Sequence, residues 1–124
     1  MKELTRAEEE IMQILWSLQE GFVKNVVEKF PDPKPAYNTV STIIRILEKK
    51  GWISHKDYGG SYMYFPMISK SDYTKSFLGS FVKDYFGNSY SGLVSFFAKE
   101  GDLSVAELEE IQNMLKDSDN SDSE

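Results

Sequence analysis

The chain has 124 residues, a formal net charge of −6 at pH 7, one histidine and no cysteine. Its length fits one domain, or one small domain with a dimerising appendage, and its 40% apolar and 14% aromatic content are ordinary for a folded soluble protein. A disulfide framework is excluded, a protein-only zinc site lacks its usual ligands, no run approaches the roughly 18 apolar residues of a membrane span, and the start lacks a secretory-signal pattern. The expectation is a cytoplasmic protein with no membrane insertion, no metal and no cofactor.

Thr5-Arg6-Ala7-Glu8 has the capping-box pattern, and Ala7, Ile11, Ile14, Leu15 and Leu18 share one helical stripe, so a first helix is predicted over 6–18. Glu8, Glu9 and Glu10 fall in its first turn, where the helix dipole favours acids, and are expected to be solvated. Trp16 lies off the stripe and is expected to pack against a neighbouring element. Phe22-Val23 reads as a very short strand pairing with a later hairpin. Val23, Val26, Val27 and Phe30 predict a short second helix over 24–30, which Pro31-Asp32-Pro33-Lys34-Pro35 ends.

The third helix carries the most information. It starts near Ala36 or Tyr37, and Val40, Ile43, Ile44 and Leu47 form its inner stripe. Asn38, Ser41, Thr42, Arg45 and Lys49 face the other way, short polar groups first and long cations after. Gly51 stops it. A strand over 53–56, a turn over 57–61 and a return strand over 62–65 follow, with Gly59-Gly60 supplying the tight turn. A helix with a polar, basic outer face feeding a β-hairpin is the working end of a winged helix-turn-helix, and it points to DNA binding. The residues expected against DNA are Tyr37, Asn38, Thr39, Ser41, Thr42, Arg45 and Lys49 from the helix, with Lys56 and Tyr58 from the hairpin. His55 reads as a strand residue facing solvent or phosphate, with pH sensing as the alternative.

The acidic net charge is unevenly spread. Up to Pro66 there are 9 basic and 9 acidic residues; from Met67 onward there are 5 and 11, so the whole deficit of 6 lies there. Between Lys34 and Lys56 the cations Lys34, Arg45, Lys49, Lys50 and Lys56 face Glu48 alone, a local charge of +4. DNA responds to the local patch, because charges more than about 8–10 Å apart are screened at physiological salt.

Past Pro66, Phe77, Leu78, Phe81, Val82, Tyr85 and Phe86 form a wide apolar band ended by Gly87-Asn88. Tyr90, Leu93, Val94 and Phe97 give a further helix, and Ser104-Val105-Ala106-Glu107 is a second capping box before Leu108, Ile111 and Leu115. Three such short helices cannot hide this band among themselves, so a two-fold dimer is expected, covered through Phe77, Phe81, Tyr85, Leu93, Val94, Phe97, Leu108, Ile111 and Leu115. The predicted organisation is mainly α with a small β-hairpin: a winged-helix DNA-binding domain over 1–66, a three-helix dimerisation region over 67–116, and a disordered acidic tail over 117–124.

This order of elements resembles the penicillinase and methicillin-resistance repressors, winged-helix regulators of β-lactam resistance operons. The similarity covers nearly all of residues 4–115. It is carried by the stretch from Thr5-Arg6-Ala7-Glu8 to Ile14-Leu15-Trp16, by Asn38-Thr39-Val40-Ser41-Thr42 with Leu47-Glu48-Lys49-Lys50-Gly51, and by Tyr62-Met63-Tyr64-Phe65-Pro66. The resemblance implies a homodimer that binds a palindromic double-stranded DNA operator and blocks transcription. It also implies release by proteolysis when a membrane-bound metalloprotease sensor detects a β-lactam. In that family the cut falls between Asn and Phe in the middle helix of the dimerisation region. Here Ser stands in place of that Asn, which makes Ser95-Phe96 the candidate bond. Copper-responsive repressors of the same architecture need a cysteine cluster that this chain lacks.

Two other classes compete. A winged-helix protein-interaction module without direct DNA binding would suit the acidic balance. An enzyme would need a supported nucleophile–base pair, a phosphate-cradling glycine loop or paired catalytic carboxylates, and the sequence offers none.

Overall fold

The computed structural model describes residues 3–122, with side chains described as far as Met114. In chain order the elements are α1 (Arg6–Leu18), α2 (Val23–Lys29), α3 (Tyr37–Lys49), β1 (Ile53–Tyr58), β2 (Ser61–Pro66), α4 (Lys70–Phe86), α5 (Tyr90–Lys99) and α6 (Val105–Asp122). They fall into two units, Met1–Lys75 and Ser76–Glu124. The first is a winged helix: three helices followed by a two-stranded antiparallel hairpin.

The core of the first unit collects the inner stripe of each helix. Ile11, Met12 and Leu15 from α1, Val23 and Val26 from α2, and Val40, Ile44 and Leu47 from α3 are buried together with Trp52, Ile53 and Tyr64. Met12 takes a core position that the predicted stripe gave to Ala7, which is exposed. Trp16 packs as expected against a neighbour. Its ring lies 5.5 Å from that of Tyr73, and its Nε1 donates to the carbonyl of Ile68 at 2.9 Å. Trp52 also meets Tyr73, at 5.6 Å and edge-on. These contacts tie the first turn of α4 to the first unit, which runs to Lys75.

The end of α3 is closed by backbone bonds. Gly51, at φ +88°, donates to Glu48 O, and Trp52 N donates to Leu47 O, each at 3.0 Å. This is the paired bonding of a Schellman stop, and its positive φ suits glycine. It turns Trp52 inward and launches β1.

The hairpin is longer than predicted. Pairing runs from Ile53↔Pro66 to Tyr58↔Ser61, leaving Gly59 and Gly60 as a two-residue turn at φ +59° and +92°. The Asp57 carboxylate accepts from Gly60 N at 2.9 Å, which caps the turn. The short strand expected at Phe22-Val23 is instead a single bridge one residue earlier: Gly21 N donates to Tyr64 O at 2.9 Å and Tyr64 N to Gly21 O at 2.8 Å. Val23 already belongs to α2.

The acidic first turn of α1 also differs from expectation. The capping box forms, with Thr5 N donating to Glu8 Oε1 at 2.8 Å and Glu8 N to Thr5 Oγ1 at 3.2 Å. But Glu8 is 3% exposed, not solvated, and its other oxygen accepts from Lys50 Nζ at 2.7 Å. One carboxylate thus closes the start of α1 and ties it to the end of α3. Burial pushes the Glu8 carboxyl upward, but the Lys50 ammonium and the two Thr5 hydrogen bonds outweigh it and hold the group below the usual carboxylate range.

Stability should follow. A group depressed in the folded state stabilises above its unfolded pKa and loses that contribution as pH falls through its folded value. K50M strands a buried carboxylate and is expected to cost about 2–3 kcal/mol at neutral pH. E8Q should narrow the gap in urea midpoint between neutral and acid pH. Equal pH sensitivity of E8Q and wild type would show that the pair does not carry this term.

The second unit is different in kind. Among its described side chains only Val82 is buried, while Tyr85 is 73%, Phe96 50% and Phe97 36% exposed. Phe81 meets Tyr85 at 4.9 Å and Phe86 at 6.0 Å in tilted geometry, so the aromatic residues cluster while Phe81 and Phe86 are half-buried and Tyr85 is exposed. Gly87 and Asn88, both at positive φ, end α4 as predicted. Ser89 Oγ accepts from Gly92 N at 2.9 Å to open α5. The second capping box is present, with Ser104 N donating to Glu107 Oε1 at 3.2 Å and Glu107 N to Ser104 Oγ at 3.1 Å. α6 continues to Asp122, into the stretch expected to be a disordered tail; Ser123 and Glu124 lie outside the described residues.

Candidate nucleic-acid interface

With Val40, Ile44 and Leu47 pulled into the core, helix geometry turns Asn38, Thr42, Arg45 and Lys49 outward, and all four are exposed. Ser41 is half-buried at the edge of that face, and Tyr37, 56% exposed, stands at its start beside exposed Thr39. Thr42 Oγ1 donates to Asn38 O at 2.9 Å, which leaves its oxygen as an acceptor. Arg45 Nε reaches Ser41 O only at 3.4 Å, a weak hold on an exposed guanidinium.

The hairpin closes one side of this face. Tyr37, Ser41 and Arg45 of α3 line an open groove with Phe22, Val23, Lys24 and, from the hairpin, Gly60, Ser61, Tyr62 and Tyr64. Burial pushes the Tyr64 phenol up, and the nearby Glu48 carboxylate adds to the effect. Strand alternation gives Lys56 the face opposite His55, and its ammonium sits 5.5 Å from the centre of the Phe65 ring. Tyr58, 54% exposed beside the turn, meets Phe22 edge-on at 6.4 Å. The groove therefore gathers Tyr37, Ser41 and Arg45, whereas Lys56 stands apart on the outer face of the hairpin.

The five cations of the basic stretch divide. Lys34 Nζ donates to Glu28 O at 3.0 Å and Phe30 O at 2.7 Å, closing the end of α2. Lys50 is held by Glu8. Arg45, Lys49 and Lys56 keep exposed positions, so the local +4 overstates the charge offered to a ligand. Lys24, exposed on α2, partly restores it. It escaped the sequence reading because nothing local separates it from any solvated lysine. Tyr62 likewise carries no local mark that separates it from any other exposed strand aromatic.

Among the described residues no group of three or more His, Cys, Asp or Glu side chains could hold a metal ion, and no helix is long and apolar enough to cross a membrane. The candidate bond Ser95-Phe96 lies in the middle of α5 with both residues exposed. Of the expected dimer contacts, Phe77, Tyr85 and Phe97 are exposed and Phe81, Leu93, Val94, Leu108 and Ile111 half-buried; the Leu115 side chain lies outside the described residues.

Comparison with known proteins agrees with this architecture. Methicillin resistance regulatory protein MecI of Staphylococcus aureus (strain N315) is 30% identical over 114 residues, 91% of this chain and 93% of that protein. The penicillinase repressor of Bacillus licheniformis is 25% identical over 119 residues, covering 95% and 93%, and that of Staphylococcus aureus 28% identical over 116 residues, covering 93% and 92%. The family model described as penicillinase repressor matches residues 4–117. The chain belongs to the penicillinase repressor family, a family of transcriptional repressors and not of enzymes.

Proposed function

We propose that this protein is a homodimeric repressor that lays α3 of each subunit into the major groove of a palindromic operator and is inactivated by proteolysis. The observation that carries the proposal is the polar face of α3, with Asn38, Thr42 and Arg45 exposed and the hairpin beside it, on an element whose opposite face is locked in the core. Asn38 suits adenine, Arg45 guanine, and Thr42 presents an acceptor and a methyl group. Lys24, Lys49 and Lys56 supply phosphate contacts, which position the protein without reading sequence. The first unit is the DNA-binding domain, and the second, with its uncovered aromatic face, pairs the subunits.

Binding through such cations releases counterions, so log K should fall linearly with log salt, by about 0.9 for each phosphate neutralised. Two α3 helices on one face of the duplex set half-sites about 34–36 Å apart, or a multiple of that. The test is a footprint of the purified protein across its own gene neighbourhood, followed by a salt titration on the protected sequence. A two-fold protected site with a steep slope is expected. Affinity indifferent to salt, or no protected site, would favour a protein-interaction module, in keeping with the acidic net charge.

Release is assigned to the Ser95-Phe96 bond and to a membrane-bound metalloprotease sensor as the cutting partner. The bond is exposed but helical, and a protease takes extended chain, so α5 must open locally before the cut. Recovery of an uncut chain from induced cells would exclude this route.

A further inference from the structure

The hairpin and α3 are joined by a polar link that the proposed function does not use. His55 Nδ1, on β1, contacts Glu48 Oε2, on α3. The two side chains are 32% and 29% exposed, so the pair sits at the boundary of the interface and not in the core. The imidazole is held in place by stacking on Tyr62, at 4.2 Å between centroids and 26° between planes, with Tyr64 at 5.7 Å. Glu48 lies between Arg45 and Lys49 in sequence, on the helix that is offered to DNA. It is the one acidic residue of α3.

A carboxylate there works against binding. With His55 neutral, the pair carries one negative charge beside the duplex; with His55 protonated, it carries none. DNA therefore favours the protonated pair. We infer that His55 and Glu48 form a proton-loaded brace between wing and recognition helix, and that operator binding takes up a proton at His55 in each subunit. This rests on the DNA-binding function proposed above.

The other charged and titratable groups around the imidazole do not supply the same switch. Tyr62 and Tyr64 from β2 meet the ring, Arg45 and Tyr37 from α3 lie near Tyr64, and Asp57 lies two residues along β1, where its carboxylate caps the turn. Histidine is the side chain type that changes charge between roughly pH 5 and 8. His55 is the only histidine, and there is no cysteine. Proton uptake in that window is therefore traceable to one side chain, with the α-amino group as the control.

The experiment measures operator affinity between about pH 6 and pH 8 at fixed salt, for wild type, H55Q and E48Q. Wild-type affinity is expected to fall on the order of tenfold per subunit across that range, an average uptake of about half a proton per subunit over the two pH units. H55Q should be nearly flat. E48Q should bind more tightly than wild type at the alkaline end. An H55Q slope equal to wild type, a flat wild-type profile with binding intact, or an E48Q affinity no higher than wild type at the alkaline end would each overturn the brace. Failure of wild type to bind the operator at any pH would overturn the repressor function itself.

Discussion

Replacing Arg45 with alanine is expected to weaken operator binding by about 1–3 kcal/mol per half-site, while binding to scrambled DNA changes far less. Two half-sites double the effect in the dimer, provided the sites act independently. The structure makes this test clean. Arg45 is exposed, its one described hydrogen bond is long, and the α3 stripe that holds the fold lies on the other side. Surface substitutions of this kind usually move stability by no more than about 0.5 kcal/mol, so lost affinity cannot be ascribed to unfolding. R45K sharpens the result: it keeps the charge but not the planar fork that fits guanine, and should restore non-specific binding without restoring discrimination. Fluorescence anisotropy on specific and scrambled duplexes checks both. Equal losses on the two duplexes would make Arg45 a phosphate contact, and no loss on either would remove it from the interface.

The elements that sequence revealed are those whose cause is local. The α3 stripe, the capping boxes at Thr5 and Ser104, the Gly51 stop and the Gly59-Gly60 turn each depend on residues within a few positions, and each formed where periodicity or turn chemistry put it. What sequence hid depends on partners far along the chain. Glu8 looks like one more solvated acid until Lys50 arrives from the end of α3. Lys34 and Lys50 count toward the local charge of +4 until folding engages them with a helix end and a carboxylate. Gly21, not Phe22-Val23, meets Tyr64, and α2 begins at Val23, one residue before its predicted start. The groove itself was only half legible. Its α3 wall followed from helical phase, but Lys24 and Tyr62 reach it from two other elements, and no local pattern marks them.

Charging the aromatic face of the second unit is expected to have the largest effect of all. Tyr85, on α4, is 73% exposed and Phe97, on α5, is 36% exposed, so in an isolated chain Y85D or F97D should be tolerated. If two copies bury this face, the same substitutions place a carboxylate in an apolar interface, where an unpaired charge is costly enough to prevent assembly. The consequence for DNA exceeds the loss of any single contact. A dimer engages its second half-site at the high effective concentration set by the first, and a monomer forfeits that advantage, about 10²–10⁴ in affinity. Sedimentation should show wild type as a dimer and both variants as monomers with unchanged helix content. Anisotropy should show each variant binding a half-site and a full operator equally weakly. The face is thus distinguished from an ordinary exposed patch by linkage: its substitution acts on DNA without touching α3. Variants that remain dimeric, or a wild type that is monomeric yet binds the full operator tightly, would separate the aromatic cluster from repression and require another cover for it.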